Sequence, residues 1–439
     1  MSQEKLSTPI NFSMHIDDVK NRKTALTSLA ALPWLVLPYD SITHLLGFNL
    51  LNTAEIMPAA AILSVFYIFF RGSRLQLSRA DLIVASLFFG AYSFICIITI
   101  FNMLREASVE TGVSMSVRID AAIRQAASMT MGLTTLLMFL DSRNRLSKKY
   151  IFKLIFIGCV PTLFFCAIQL SQLIIHFGGL IRRVQGFSPE PADLADVLVF
   201  VYFPALEIFE QSNKRRIAFT LLGVIFLFAT FSSTGYLKYI FFLMTLKIRG
   251  RKIIRGIFFI IALLALGGLV LSYFPDNYVF RMLSSIYIHL SEGSILANGS
   301  LVDRLYGFVG PLNNFLTTHG LIGYGFGGDA TYFNKLFNSQ VAAIIRDTKG
   351  ALPQISSLQG KMIMYGGAIG YALYLSGWIY AYMLSADKKV FRAVIITLFG
   401  ASIFSLAPLF LPYVWAWVAL ANTESKPAIA PFGNRLWIA

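Results

Sequence analysis

The chain has 439 residues, 56% of them hydrophobic and only 13% charged, with a mean hydropathy of +0.67. A soluble chain of this length carries about 25% charged residues, so a water-soluble globular protein is excluded. The formal charge of +15 comes mainly from Lys and Arg in short connectors between apolar runs, a pattern that suits anionic lipid headgroups and not nucleic acid.

In chain order, residues 1–24 are polar, and no cleavable signal peptide is evident because the first apolar run has no small-residue cleavage site after it. Hydrophobic runs near the ~20 residues that cross a bilayer are expected to span at 25–46, 54–70, 82–104, 119–140, 151–177, 194–210, 217–231, 235–247, 253–274, 359–384, 391–406 and 408–421. Pro33, Pro38 and Asp40 interrupt the first. The last two share so few residues that a re-entrant hairpin is an alternative to two crossings. The expected fold is an all-α polytopic integral membrane protein with about 12 transmembrane helices and one large loop between helices 9 and 10. The chain then divides into a cytoplasmic N-terminal segment (1–24), transmembrane helices 1–9 (25–274), the large loop (275–358), transmembrane helices 10–12 (359–421) and a cytoplasmic tail (422–439). Cys96, Cys159 and Cys166 lie within apolar runs without metal-ligand spacing, as buried thiols do.

The connectors sort by charge. Lys20, Arg22 and Lys23 precede the first span, and Arg71, Arg74 and Arg79 follow the second. Arg143, Arg145, Lys148 and Lys149 follow the fourth, and Lys214, Arg215 and Arg216 the sixth. Lys247, Arg249, Arg251, Lys252 and Arg255 follow the eighth, and Lys388, Lys389 and Arg392 the tenth. Every second connector is a basic cluster, which puts those connectors and both termini in the cytoplasm. By parity, residues 178–193 and 275–358 face outside. A transporter of two six-helix repeats usually has its longest connection in the middle, on the cytoplasmic side. Here the long loop is external, and no internal repeat is obvious.

External cations need a reason other than topology. They are Arg105, Arg118, Arg182, Arg183, Arg281, Arg304, Arg346, Lys349 and Lys361, with Arg124 and Lys238 about one turn inside their spans. Ionisable groups at membrane depth cost about 2.5–3.5 kcal/mol on insertion scales and commonly mark a pathway or ligand. Asp120 precedes Arg124 by four residues, the spacing of a helical ion pair. Lys238 suits either snorkelling to the interface or a ligand role. The adjacent guanidinium groups of Arg182 and Arg183, beside Gly186 and Pro189, suit bidentate binding of phosphate oxygens. Glu190 is placed either to position a sugar hydroxyl or to neutralise an arginine. The large loop holds Arg281, His289, Asp303, Arg304 and His319, then five glycines between Gly320 and Gly328 that let backbone approach a ligand closely. His319 has the residue type of a general base, or of a solvated loop histidine. No Walker, HExxH, CxxC or DxD pattern is present, and Asp193 and Asp196 are spaced as one helical turn.

Three features resemble the O-antigen and exopolysaccharide polymerases of the bacterial envelope and, more distantly, the O-antigen ligases. The string Arg183-Val-Gln-Gly186 followed by Glu190-Pro191 is similar to their RxxG…EP(S) signature, with Ala192 where serine is common. The block Ser300-Leu-Val-Asp-Arg304-Leu-Tyr followed by Gly320–Gly328 is similar to a motif near the end of their large loop. The third feature is the order: about nine spans, the loop, then Gly366-Gly367-Ala-Ile-Gly370 in the next span. Ligases of this type usually carry a histidine just before that span. Here the region reads Gln354-Ile-Ser356-Ser357-Leu358, which favours a polymerase.

The resemblance implies a GT-C-like architecture in the bacterial inner membrane, with the large loop periplasmic. It implies a metal-independent glycosyltransferase acting on undecaprenyl-diphosphate-linked oligosaccharide and polysaccharide, with membrane lipids around it and a chain-length regulator as a further partner. No cofactor is expected. Arg183 and Arg304 are expected as diphosphate clamps, with Arg182, Arg281 and Lys361 as weaker candidates and Glu190 or His319 as the base. The alternatives are an O-antigen ligase and a lipid-linked oligosaccharide flippase or other transporter.

Overall fold

Apolar runs that leave water lose their hydrogen-bonding solvent, and a helix satisfies the backbone internally. The computed structural model describes residues 29–39, 59–71, 75–106, 115–175, 183–186, 188, 190–247, 299–318, 320–328, 355, 357–385, 388–405, 411–421 and 436–437. These are predominantly helical. In chain order they form α1 (Ala59–Arg71), α2 (Arg79–Glu106), α3 (Met115–Arg145), α4 (Lys148–Ile175), α5 (Pro191–Val197), α6 (Phe203–Phe209), α7 (Asn213–Ala229), α8 (Ser233–Lys247), α9 (Gly299–Thr318), α10 (Leu358–Leu384), α11 (Lys389–Phe404) and α12 (Pro412–Ala421). A two-residue strand, Gln76–Leu77, pairs antiparallel with Leu436–Trp437.

Two stretches of the described helices, Arg79–Arg105 in α2 and Lys148–Gln172 in α4, are long and apolar enough to cross a bilayer. These two helices and α1 carry apolar side chains on their outer faces, with Leu104 75%, Phe164 69% and Phe69 79% exposed. Such a surface fits lipid better than water. Helices occupy most of the expected span positions. The span expected at 253–274 and half of that at 25–46 lie outside the described residues.

The span expected at 194–210 is not one regular helix. α5 and α6 are joined by a π-helical turn over Leu198–Tyr202. Pro204 explains it: proline has no N–H to donate to the carbonyl four residues back, which is Phe200. The indole Nε1–H of Trp417 on α12 donates to that carbonyl instead. The break thereby docks α12 onto the bundle.

Helices α2 and α3 run antiparallel. Phe326 and Gly327 bridge them at one end through Thr99 and Gln125, and Asp81 meets Arg143 at the other. That second end, the Asp141 end, is an ionic network. Asp81, fully buried, accepts from Arg143 Nη2 at 2.6 and 2.8 Å, from Asn144 and from the Ser78 amide. Arg143 also donates to the carbonyl of Ala419. Asp141, fully buried, accepts from the Tyr67 hydroxyl at 2.7 Å, the Gln76 amide at 2.6 Å and Arg145 at 2.9 and 3.0 Å. Arg71 Nε lies 3.3 Å from it. The two buried carboxylates tolerate this setting because each is paired and accepts several hydrogen bonds.

Candidate functional site at the Arg183 end

The segment that carries Arg183 is pinned from several sides. The Val184 amide donates to Ala229 O at 3.0 Å. The side-chain oxygen of Gln169 on α4 accepts from the amides of Gln185 (3.0 Å) and Gly186 (2.8 Å). Gly186 turns the chain with φ 59°, where a Cβ would press on Cys166 Sγ at 3.1 Å, so glycine is required. Arg183 Nη2 donates to the carbonyl of Phe231 at 2.6 Å. Phe231, in the turn between α7 and α8, has φ 48°, a left-handed conformation that phenylalanine rarely adopts. Such strain persists where the surroundings enforce it, commonly at functional sites.

Glu190 is exposed and stands just before α5, with Pro191 as the first helical residue. Arg183 and Glu190 therefore belong to one pinned connection. Arg182 lies outside the described residues.

Beneath this connection is an arrangement that sequence spacing alone does not reveal. Lys238 on α8 donates to both oxygens of Asp196 at 2.6 and 2.9 Å, with both side chains 9% exposed. Tyr413 on α12 lies 3.3 Å from the same carboxylate. Lys238 therefore pairs inside the bundle instead of snorkelling. Asp193, one turn earlier and ahead of the apolar stretch, is held differently. Burial, then the carboxylates of Asp196 and Glu190, push its pKa up to about 7 from 3.8. The fold, and not its residue type, places it there. Arg124 forms the expected helical pair with Asp120 at 2.7 Å.

The second group of candidates is on α9 and α10. Arg304 is partly buried on α9, and among the described residues it has no carboxylate partner. One turn on, Gly307 touches Gly360 of α10 through its carbonyl, so closely that a Cβ on Gly360 would collide with it. Lys361, adjacent, is 4% exposed. The start of α10 is fixed to the end of α11: Leu358 N donates to Ser405 O at 3.3 Å and Gln359 Nε2 to Ser402 Oγ at 2.6 Å. α11 in turn runs antiparallel to α8, with Thr245 beside Thr397 and Phe241 against Gly400. Asp196 pairs with Lys238 near the start of α8, so α8 and α11 tie both groups to the same end of the bundle. No contact between Arg183 and Arg304 or Lys361 is found among the described residues. Arg281 and His319 lie outside them.

The glycine-rich segment is not placed as sequence suggests. Glycines at 320–328 were expected to let backbone approach a ligand. Instead Gly323, Gly325 and Gly327 let this backbone approach other backbone. A Cβ on Gly323 would strike the Tyr365 carbonyl, one on Gly325 would come within 2.6 Å of Thr99 Cα, and one on Gly327 within 2.9 Å of Arg118 O. The segment is inserted between α2, α3 and α10.

No group of three or more His, Cys, Asp or Glu side chains that could hold a metal ion is found among the described residues. Compared with known proteins, the chain matches no family model and no curated protein.

Proposed function

We propose that the protein is a membrane-embedded glycosyltransferase of the polysaccharide-polymerase type. It transfers a growing glycan from a lipid diphosphate to the terminal hydroxyl of a new lipid-linked repeat unit, at the outer face of the bacterial inner membrane. The observation that carries this reading is the pinned Arg183–Glu190 connection at the end of the bundle that also bears Arg304 and Lys361. The alternation of basic connectors puts that end outside.

The reaction joins the acceptor hydroxyl oxygen to the anomeric carbon as the bond from that carbon to the diphosphate oxygen breaks. Negative charge grows on the leaving lipid diphosphate, and the hydroxyl proton passes to a base. Fixed cations stabilise that growing charge more than they stabilise the bound substrate, which accelerates the reaction. Arg183 is suited to this work because its loop is held by Gln169 and Ala229 before substrate arrives, so little reorganisation follows. Arg304 and Lys361 supply further positive charge. Glu190, exposed at the mouth of α5, and Asp193, poised near neutrality, are the carboxylates placed to take the proton.

Cells lacking the protein separate the alternatives. Loss of a polymerase leaves single repeat units attached to the final acceptor, loss of a ligase leaves none, and loss of a flippase leaves repeat units on the cytoplasmic face. Long polymer should return with the wild-type protein and not with Arg183→Ala at equal membrane abundance. Full-length polymer in that variant would overturn the clamp assignment.

A further inference from the structure

α10 is interrupted at Gly367, whose φ of 60° and ψ of −157° are open only to glycine. A regular helix through this point would have Ala368 N–H bonded to Met364 O and Ile369 N–H to Tyr365 O. Both bonds are absent, and all four groups have found partners in the inserted glycine segment. The Ala368 amide donates to Gly320 O at 3.1 Å and the Ile369 amide to Leu321 O at 3.3 Å. Met364 O accepts from the Tyr324 amide at 2.8 Å, and Tyr365 O accepts from the Gly325 amide at 3.0 Å. The segment thus replaces, bond for bond, what the helix gave up.

The rest of the segment is seated by side chains that donate or accept at its backbone. Thr99 Oγ1 accepts from the Phe326 amide at 2.8 Å, Gln125 Oε1 accepts from the Gly327 amide at 2.6 Å, and Asn102 Nδ2 donates to Gly323 O at 3.3 Å. Phe326 is 3% exposed.

We infer that residues 320–328 and α10 form a two-state closure at the Arg183 end. In the closed state, seen here, the segment is inserted and α10 is broken at Gly367. In the open state the segment withdraws and α10 closes its own two hydrogen bonds through Gly366 and Gly367. The backbone groups released on the segment then bond water. The four α10 groups at the break, Met364 O, Tyr365 O and the Ala368 and Ile369 amides, have partners in both states, which is what brings two packings of one sequence close in free energy. α9, which carries Arg304, leads directly into the segment, so opening alters the setting of that cation. The inference rests on the backbone pairing alone and stands or falls independently of the proposed activity.

Two substitutions push in opposite directions. Gly367→Ala places an L residue where φ is 60° and brings a Cβ within 2.6 Å of Ile322 C, while a continuous helix accepts alanine readily. Ala368→Gly keeps the amide that bonds Gly320 O and makes a continuous helix less favourable, since glycine is a poor residue in a helix interior, so α10 stays broken. The reporter is Phe326→Cys in a background with Cys96, Cys159 and Cys166 replaced by alanine, reacted with a maleimide on protein purified in micelles. A second reporter, Phe139→Cys in the same background, lies at the opposite end, fully buried.

Gly367→Ala should raise the labelling rate at 326 about tenfold or more, as expected when the open population rises by that factor, with position 139 still protected. Ala368→Gly should label severalfold more slowly than the parent. Equal labelling of parent and Gly367→Ala at 326 would overturn the inference. If Gly367→Ala exposes position 139 as well, the variant has unfolded and Ala368→Gly decides. Slower labelling than the parent then supports the closure, and equal or faster labelling at 326 overturns it.

Discussion

The two ends of the bundle hold their charges in opposite ways. At the Asp141 end, Arg71, Arg143 and Arg145 converge on two fully buried aspartates, and the backbone and Tyr67 take up remaining valences. At the Arg183 end, Arg183 bonds a strained carbonyl, Arg304 meets no carboxylate among the described residues, and Lys361 is buried beside a glycine contact. The first arrangement is a structural clasp in which each arginine has a carboxylate partner. The second holds Arg183 through a backbone carbonyl and keeps Lys238 and Asp196 as its buried ion pair. Under the proposed function, the difference separates arginines that serve the fold from one that meets an anion.

Breaking the clasp should have the largest effect on stability. Asp141→Ala leaves Arg71 and Arg145 without their common partner and the Tyr67 hydroxyl without an acceptor. Removing one side of a buried pair costs about 3–5 kcal/mol, so folded protein recovered from membranes should fall sharply. Normal recovery and thermal midpoint would show that the clasp is dispensable.

At the other end, the support of Arg183 separates hydrogen bonding from packing. Gln169→Leu strands the amides of Gln185 and Gly186, each worth about 1–3 kcal/mol when unsatisfied. Activity should fall together with thermal stability. Gln169→Glu still offers a carboxylate oxygen to both amides and should retain most of each. If leucine and glutamate behave alike, Gln169 acts by its bulk and not as an acceptor.

The smallest effect concerns Asp193. Its folded-state pKa, about 7, lies above the ordinary 3.8, so the folded protein holds a proton there that the unfolded chain releases. Stability from this group is present below about pH 4 and is lost as pH rises to about 7. Asp193→Asn should therefore match the parent near pH 4 and exceed it in thermal stability near pH 8. A parent that gains on the variant with rising pH would refute the shifted carboxyl.

Much of this was legible in the sequence, for reasons specific to each element. Hydropathy located α2 and α4, because both are apolar along nearly their whole length. The four-residue spacing of Asp120 and Arg124 gave their pair, since it depends only on helical periodicity. The Arg183–Glu190 connection stood out by residue type and by its glycine and prolines. What stayed hidden depends on partners distant in sequence. Pro204 reads as an ordinary proline until Trp417 is seen to take the carbonyl it releases. Lys238 had two readings along its own helix, and Asp196, 42 residues away, supplied a third. Glycines that admit a ligand and glycines that admit another backbone look identical in sequence. Only the close fit of Gly323, Gly325 and Gly327 against α2, α3 and α10 tells them apart.

The central claim is that the Arg183 end handles a lipid diphosphate. The most direct measurement supplies purified protein, in micelles, with lipid-linked repeat units extracted from cells that lack it, and follows free lipid diphosphate and glycan length together. Wild-type protein should release lipid diphosphate in step with a lengthening glycan ladder. Arg183→Ala should do so about 10²–10³-fold more slowly, the usual effect of removing one preorganised transition-state contact, while remaining folded. Release by Arg183→Ala at the wild-type rate, or no release by folded wild-type protein, would contradict the account.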